Sequence, residues 1–308
     1  MYFYRLYDLT LSSPIRFPEL WPCSDSNVPD VTVQFGKVGR YPDTEDFFAG
    51  CFHATDREAY LFWQMYGTCL VKDGSRILVE PREGIEERVL RLMILGPAMG
   101  ILLHQRGILT LHASAVCING VTVAFLAEKK GGKSTTAALL HSRGHAVVAD
   151  DIVAVNEVQN GIFRLLPGGC QMKIEPDVAA ALGERVEQMS RLHPSLTKLA
   201  HPTRVQLSDQ PMVLKKIFIL GKNMTRNIRK MPPQDIFREL LRHSYAVRFL
   251  GERGATPGHF KRMIKLANSV PVYTMERPDS LEELPQLARW IEEQTMLSDE
   301  QLRIHRYS

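Results

Sequence analysis

The chain has 308 residues, 44% of them hydrophobic and 23% charged, with a formal net charge of +4. This is the make-up of a soluble globular protein long enough for two domains, and it excludes a disordered chain. No apolar run approaches the roughly 20 residues that span a bilayer, and no long basic block argues for nucleic acid, so neither a membrane nor a nucleic acid is expected as partner.

The start, MYFYRLYDLT, lacks a basic n-region and a sustained apolar run, so no secretory signal is expected and the chain reads as cytoplasmic. Cys23, Cys51, Cys69, Cys117 and Cys170 show neither CxxC nor CxxH spacing, which favours reduced thiols over a disulfide frame or a zinc site.

Residues 1–84 are predicted to form a β-rich N-terminal domain. Strand-like runs stand at 2–6, 31–35 and 75–79, separated by turn material at 22–26 and 72–75. Ile85, Val89, Leu92, Met93, Leu95, Met99, Leu102 and Leu103 recur at helical spacing, so 85–107 reads as a bridge of one or two helices. A second domain is predicted over 108–295. It has a hairpin turn at Gln159-Asn160-Gly161, helices at 177–190, 233–242 and 281–293, and strands at 216–220 and 270–275. Ser280 with Glu283 predicts a capping box for the last helix, and the polar tail 296–308 is expected to fray.

The run from Val121 to Val155 carries the chemistry. An apolar strand enters AEKKGGKST, and the TTAALL run continues as a helix. Apart from Ala127 in place of the first glycine, this is the G-x-x-x-x-G-K-[ST] phosphate loop in its strand–loop–helix setting. The main-chain N–H groups of Gly131, Gly132, Lys133, Ser134 and Thr135 are expected to cradle nucleotide phosphates. Lys133 would reach the terminal phosphates, and the Ser134 hydroxyl would ligate Mg²⁺. Lys129 and Lys130 either add charge against the phosphates or stand in solvent. The plainer reading is an ordinary strand-to-helix turn with a surface lysine.

A second apolar strand ends at Asp150-Asp151, 17 positions after Lys133 (150 − 133). One helix and one strand fill that interval, so the carboxylates return beside the loop. Adjacent carboxylates need solvent or a cation between them, and they can hold a divalent metal or take a proton from an attacking hydroxyl. Alone, they would read as turn formers. His141 and His145 flank a helix end, as a C-terminal cap and a surface residue.

HSRGHAVVADDIVAV, with the loop before it, resembles the catalytic domain of HPr kinase/phosphorylase, a family related in fold to phosphoenolpyruvate carboxykinases. His112 falls where that family has a histidine ahead of the loop strand. The resemblance covers roughly 108–293 and implies an α/β (α+β) catalytic domain of the P-loop HPr kinase type, beside a smaller β-rich N-terminal domain. YRLYDLTLSSPIRFPEL, SRILVEP, LLHQRGILTLHASAV and VPVYTMERPDSLEELPQLARWIEE resemble a divergent subgroup that phosphorylates the C-terminal serine of lasso-peptide precursors. It implies ATP and Mg²⁺ as cofactors and a precursor peptide ending in Ser as partner. It also admits a homo-oligomer, since the carbon-regulation enzymes are oligomeric. The roles it implies are Asp150 as acceptor of the seryl proton, Asp151 with Ser134 as metal ligands, and His112 as an aid to the phosphate or the base.

The chain departs from the family at Ala127, at Lys129, where Ser is frequent, and at Lys130, where Gly is frequent. Alanine serves if its φ stays negative, whereas a lysine forced to positive φ costs about 1 kcal/mol. Lys173 and the segment 242–248 are candidate contacts for a phosphate or a peptide carboxylate, against a structural or solvated role. The competing functions are a kinase of HPr or another folded protein, a small-molecule kinase such as one for free serine, and a non-catalytic nucleotide-binding regulator.

Overall fold

The computed structural model describes all residues except 25–27, 44–46, 194–196, 204–211, 251–255, 279 and 305–308. The chain forms two compact units, one of residues 1–110 with 244–260, the other of 111–243 with 261–308. The helical stretch 85–107 thus belongs to the first unit. So does 244–260, which the sequence reading assigns to the catalytic domain.

The first unit is built on an eight-stranded sheet. Its strands are β1 (Tyr2–Leu6), β2 (Leu9–Ser13), β3 (Trp21–Pro22), β4 (Val31–Phe35), β5 (Ala49–Ala54), β6 (Glu58–Trp63), β7 (Gly67–Lys72) and β8 (Arg76–Pro81). They run in the order β3-β1-β2-β4-β8-β7-β6-β5. Alternate residues Ala59 and Leu61, Cys69 and Val71, and Ile77 and Val79 are buried, as the two-residue side-chain period of a strand requires. Asp25 and Ser26 of the expected turn lie outside the described residues, while Trp21 and Pro22 before them pair with β1.

Helices α1 (Glu87–Met93) and α2 (Met99–Gln105) follow. They are joined by a π-type stretch, Ile94–Ala98, in which Gly96 leaves the helical region at φ −95° and ψ −107°. Pro97 explains the break, because it has no N–H to continue the ladder. The short strand β9 (Leu109–Leu111) then leads on along the chain.

The second unit contains β10 (Ala113–Ile118), β11 (Val121–Leu126), α3 (Lys133–Ser142), β12 (Ala146–Asp150) and the hairpin β13 (Val153–Gln159) with β14 (Ile162–Leu166). Next come β15 (Gln171–Ile174), α4 (Pro176–Ala181), β16 (Leu199–Pro202), β17 (Leu214–Lys222), β18 (Asn227–Lys230) and α5 (Pro233–Arg242). Helix α6 (Tyr245–Leu250) lies in the first unit, and α7 (Pro257–Ser269) carries the chain back. The unit closes with β19 (Val272–Arg277), α8 (Leu284–Met296) and α9 (Asp299–Ile304).

Its main sheet has the order β12-β10-β11-β17-β19-β18. β11, β17 and β19 are mutually parallel, and β10 is antiparallel to both β11 and β12. The C-terminal ends of β11, β12, β17 and β19 therefore share one edge with the N-terminal end of β10. Phe125, Phe218 and Tyr273 sit in register on the three parallel strands, fully buried, with ring centroids 5.7 and 5.9 Å apart. This aromatic row anchors the strands whose ends carry the site.

Three expectations are corrected. The helix foreseen at 177–190 ends at Ala181, and only a 3₁₀ turn, Val186–Gln188, follows, because Gly183 takes φ +81° and stops it. The last helix begins at Leu284 rather than 281, with Pro285 in its first turn. Its capping box does not form, and the Ser280 hydroxyl instead accepts the Glu282 N–H at 3.3 Å. Of the tail expected to fray, 305–308 lie outside the described residues, and before them α9 forms and Leu302 is buried in the second unit's core. Among the described residues no helix is long and apolar enough to cross a membrane.

Candidate active site

The shared edge holds a cavity of about 660 Å³ lined by the loop, both aspartates, His112 and a ring of cations. The loop leaves β11 and turns into α3 through Gly132, whose φ of +88° suits glycine. Gly131 is required for a different reason, because a Cβ there would lie 2.7 Å from that of Ala127. Ala127 itself stays outside the left-handed region, so it replaces a loop glycine without strain. Lys130 does not, since its φ is +64°. The buried Lys133 ammonium donates to the Ala127 carbonyl at 2.7 Å and lies 3.4 Å from that of Glu128. Its charge is thereby held under the loop's own main chain.

Asp150 ends β12 and accepts three hydrogen bonds. Two come from the Ser114 and Ser134 hydroxyls to Oδ1, at 2.6 and 3.0 Å. The third comes from the Lys173 main-chain N–H to Oδ2, at 3.0 Å. Asp151 turns the other way at φ +75°. Its carboxylate meets the Lys173 ammonium at 2.8 Å and His112 Nδ1 at 3.2 Å. Burial alone would raise the Asp151 carboxyl, but Lys173 and then His112 outweigh it and hold the group well below the usual carboxylate range. His112 is fixed through its own main chain, whose N–H donates to the His243 carbonyl at 2.8 Å. Burial, followed by the nearby Lys133 charge, pushes the His243 imidazole down to about 4.

The oxygen donors suit a magnesium ion. A hydroxyl and carboxylates are hard ligands, and Mg²⁺ is typically held by one or two carboxylates with substrate phosphates and water completing the shell. Among the described residues no cluster of three His, Cys, Asp or Glu side chains could hold a metal alone. Ser134 meets Asp150, and not Asp151, with which the resemblance pairs it.

No protein-family model matches the chain, and no curated protein matches it. Among solved structures it is similar to the HPr(Ser) kinase/phosphatase from Coxiella burnetii. That likeness has 18% identity and a TM-score of 0.30, over 64% of this chain and 95% of that one. A likeness of this size bears no weight for function, which rests on the geometry above.

The structure brings Gly131, Gly132, Lys133, Ser134, Thr135, His112, Asp150 and Asp151 to one cavity, with Lys129 and Lys130 at its exposed rim. The Lys173 side chain is held by Asp151, and its main-chain N–H reaches Asp150. The segment 242–248 is divided. Arg242 pairs with Glu128 of the loop, and 244–248 belongs to the first unit. The His141 Nδ1–H donates to the His145 carbonyl, and His145 meets Glu292 at 2.8 Å, so both brace a helix end away from the chemistry. Sequence reasoning missed Ser114, Lys222 and Arg277. The last two end the parallel strands β17 and β19, where ligands of open α/β sheets bind, and that rule could have found them.

Proposed function

We propose that this protein is a Mg²⁺-dependent ATP phosphotransferase that phosphorylates the side chain of a C-terminal serine on a ribosomal precursor peptide. The single observation that carries the phosphotransferase reading is the Ser134–Asp150 hydrogen bond at the mouth of a phosphate loop. It joins the loop hydroxyl to a strand-end carboxylate, the pair that holds Mg²⁺ in P-loop enzymes. The peptide acceptor rests on the sequence resemblance.

The N–H groups of Gly131 to Thr135 and the Lys133 ammonium bind the β- and γ-phosphates of ATP. Ser134 and Asp150 would hold Mg²⁺, which when bound would neutralise charge on those phosphates. Asp151 and His112 form the acceptor-side pair. The seryl oxygen attacks the γ-phosphorus, the bond to the β–γ bridging oxygen breaks, and the seryl proton passes to the His112–Asp151 pair. The low affinity of Asp151 for a proton is tolerable, since a loose transition state asks for little deprotonation of the nucleophile. Lys173 keeps Asp151 ionised and oriented.

The test is mass spectrometry of a serine-ended precursor peptide incubated with the protein, Mg²⁺ and ATP. A gain of one phosphate on the terminal residue, abolished in Lys133→Met, is the expected result. ATP binding with no transfer to that peptide, to free serine or to HPr would favour a nucleotide-binding regulator.

A further inference from the structure

The phosphate loop divides the sheet edge into two arms. On one side, β10 and β12 present His112, Asp150 and Asp151. On the other, the parallel strands β17 and β19 end in Lys222 and Arg277, which are register partners. Paired residues on neighbouring strands point to the same face of the sheet, so both cations project together, and both line the cavity.

Arg277 is 3% exposed, and its guanidinium is already on the loop. Nη2 lies 3.5 Å from the Gly131 carbonyl, and a Cβ at Gly132 would stand 1.7 Å from it. Nη1 donates to the Pro278 carbonyl at 3.0 Å. Two of its hydrogen bonds thus run to neutral carbonyls beside a phosphate site. A fork of five donors in that place is suited to bind anionic oxygens bidentately. Beyond it the cavity wall changes to the Leu281 and Leu284 side chains, and Leu281 is 38% exposed. An apolar, partly exposed wall next to two cations matches a nucleoside joined to a diphosphate, whereas the apolar residues of the other side, Ile174, Pro176 and Val178, stand beside a lysine whose ammonium is held by Asp151.

Resting on the phosphotransferase reading, the geometry points to one orientation of the nucleotide. Its γ-phosphate faces β10 and β12, while Lys222 and Arg277 hold the diphosphate and Leu281 and Leu284 flank the base. The acceptor hydroxyl then enters from the opposite arm, past Lys173. Transfer must occur where the carboxylates stand, so the part of the nucleotide that leaves as the diphosphate extends over the cationic arm. Release of that product is governed by Lys222 and Arg277.

Photolabelling with Mg²⁺ and 8-azido-ATP, followed by peptide mass mapping, tests the orientation directly. Label on 280–284 is the expected result, and label on 173–178 or 197–198 overturns it. Arg277→Met and Lys222→Met should each weaken ADP binding about tenfold or more, the loss of one charged hydrogen bond, with the unliganded melting temperature of Lys222→Met unchanged. Arg277→Met could disturb the loop itself, so Lys222→Met, with wild-type ADP affinity as the overturning outcome, is the deciding variant. Wild-type protein that binds no Mg²⁺-nucleotide sinks the phosphotransferase reading and this orientation with it. Transfer activity with label on the Lys173 side sinks the orientation alone.

Discussion

Asp150 and Asp151 are neighbours in sequence with opposite surroundings, and their variants should separate. Asp150 accepts from two hydroxyls and a main-chain N–H, while Asp151 faces an ammonium and an imidazole. Asp150→Asn should raise the Mg²⁺ concentration needed for half-maximal transfer about tenfold or more, because a carboxylate ligand is lost. Asp151→Asn should leave that concentration near wild type and lower the saturated rate by about 10²-fold, the scale of acid–base assistance. Equal shifts in Mg²⁺ dependence for both would refute the division. His243 gives a pH test of stability. Its folded value of about 4 lies below the ordinary 6.5, so the unfolded chain binds the proton more readily. Its contribution is complete above pH 6.5 and is lost as pH falls toward 4, amounting to about 2 kcal/mol at pH 5. Urea unfolding at pH 7.5 and 5 should show a smaller difference in His243→Gln than in wild type. An unchanged difference would mean that the imidazole takes up its proton as readily in the fold as in the unfolded chain.

At the scale of elements, legibility followed local chemistry. The Asn160-Gly161 turn was readable because both residues tolerate the left-handed φ found there, 34° and 84°. The turn between β1 and β2 was not, since it places Tyr7 and Asp8 at φ 53° and 59°, and a tyrosine announces no such turn. The loop and the aspartates were legible because strand, loop, helix and strand lie within a few dozen residues. Ser114, Lys222 and Arg277 were not, because strand order across the sheet decides that Ser114 meets Asp150 and that Lys222 and Arg277 line the cavity. Lys216 shows the same limit. It opens the strand read at 216–220, and it is buried, its ammonium donating to the carbonyls of Thr295, at 2.8 Å, and Leu297. These lie at the C-terminal end of α8, where main-chain acceptors have no partner within the helix. Lys216→Met would leave them unmatched in the interior and should cost about 3 kcal/mol in chemical denaturation. A cost below about 1 kcal/mol, the size expected of a surface change, would show that water replaces the ammonium.

At the scale of the molecule, the sequence reading sets off the second domain once, at residue 108, whereas the structure divides the chain at 110 and again around 244–260, a difference that can be tested. The segment 244–260 returns to the first unit, where it is packed on α2. Tyr245 is 3% exposed, and a Cβ at Gly100 would lie 2.4 Å from its ring. His259 is 1% exposed, stands edge-on to His104 at 5.2 Å between centroids and meets the Ser244 hydroxyl at 3.1 Å. A fragment 108–308 would retain this segment but lose α2, leaving Tyr245, Ala246 and His259 without the surface that buries them. Such a fragment should bind a hydrophobic dye and aggregate. Replacing 244–260 in it by a Gly/Ser segment of equal length should suppress both, since loop substitution costs little once no buried surface depends on it. The replacement also removes the covalent neighbour of His243, whose carbonyl fixes His112, so nucleotide binding is the readout to pair with solubility. A fragment 108–308 that is as soluble and dye-silent as the full chain would mean that 244–260 packs within the second unit, and that the boundary read from sequence was the physical one.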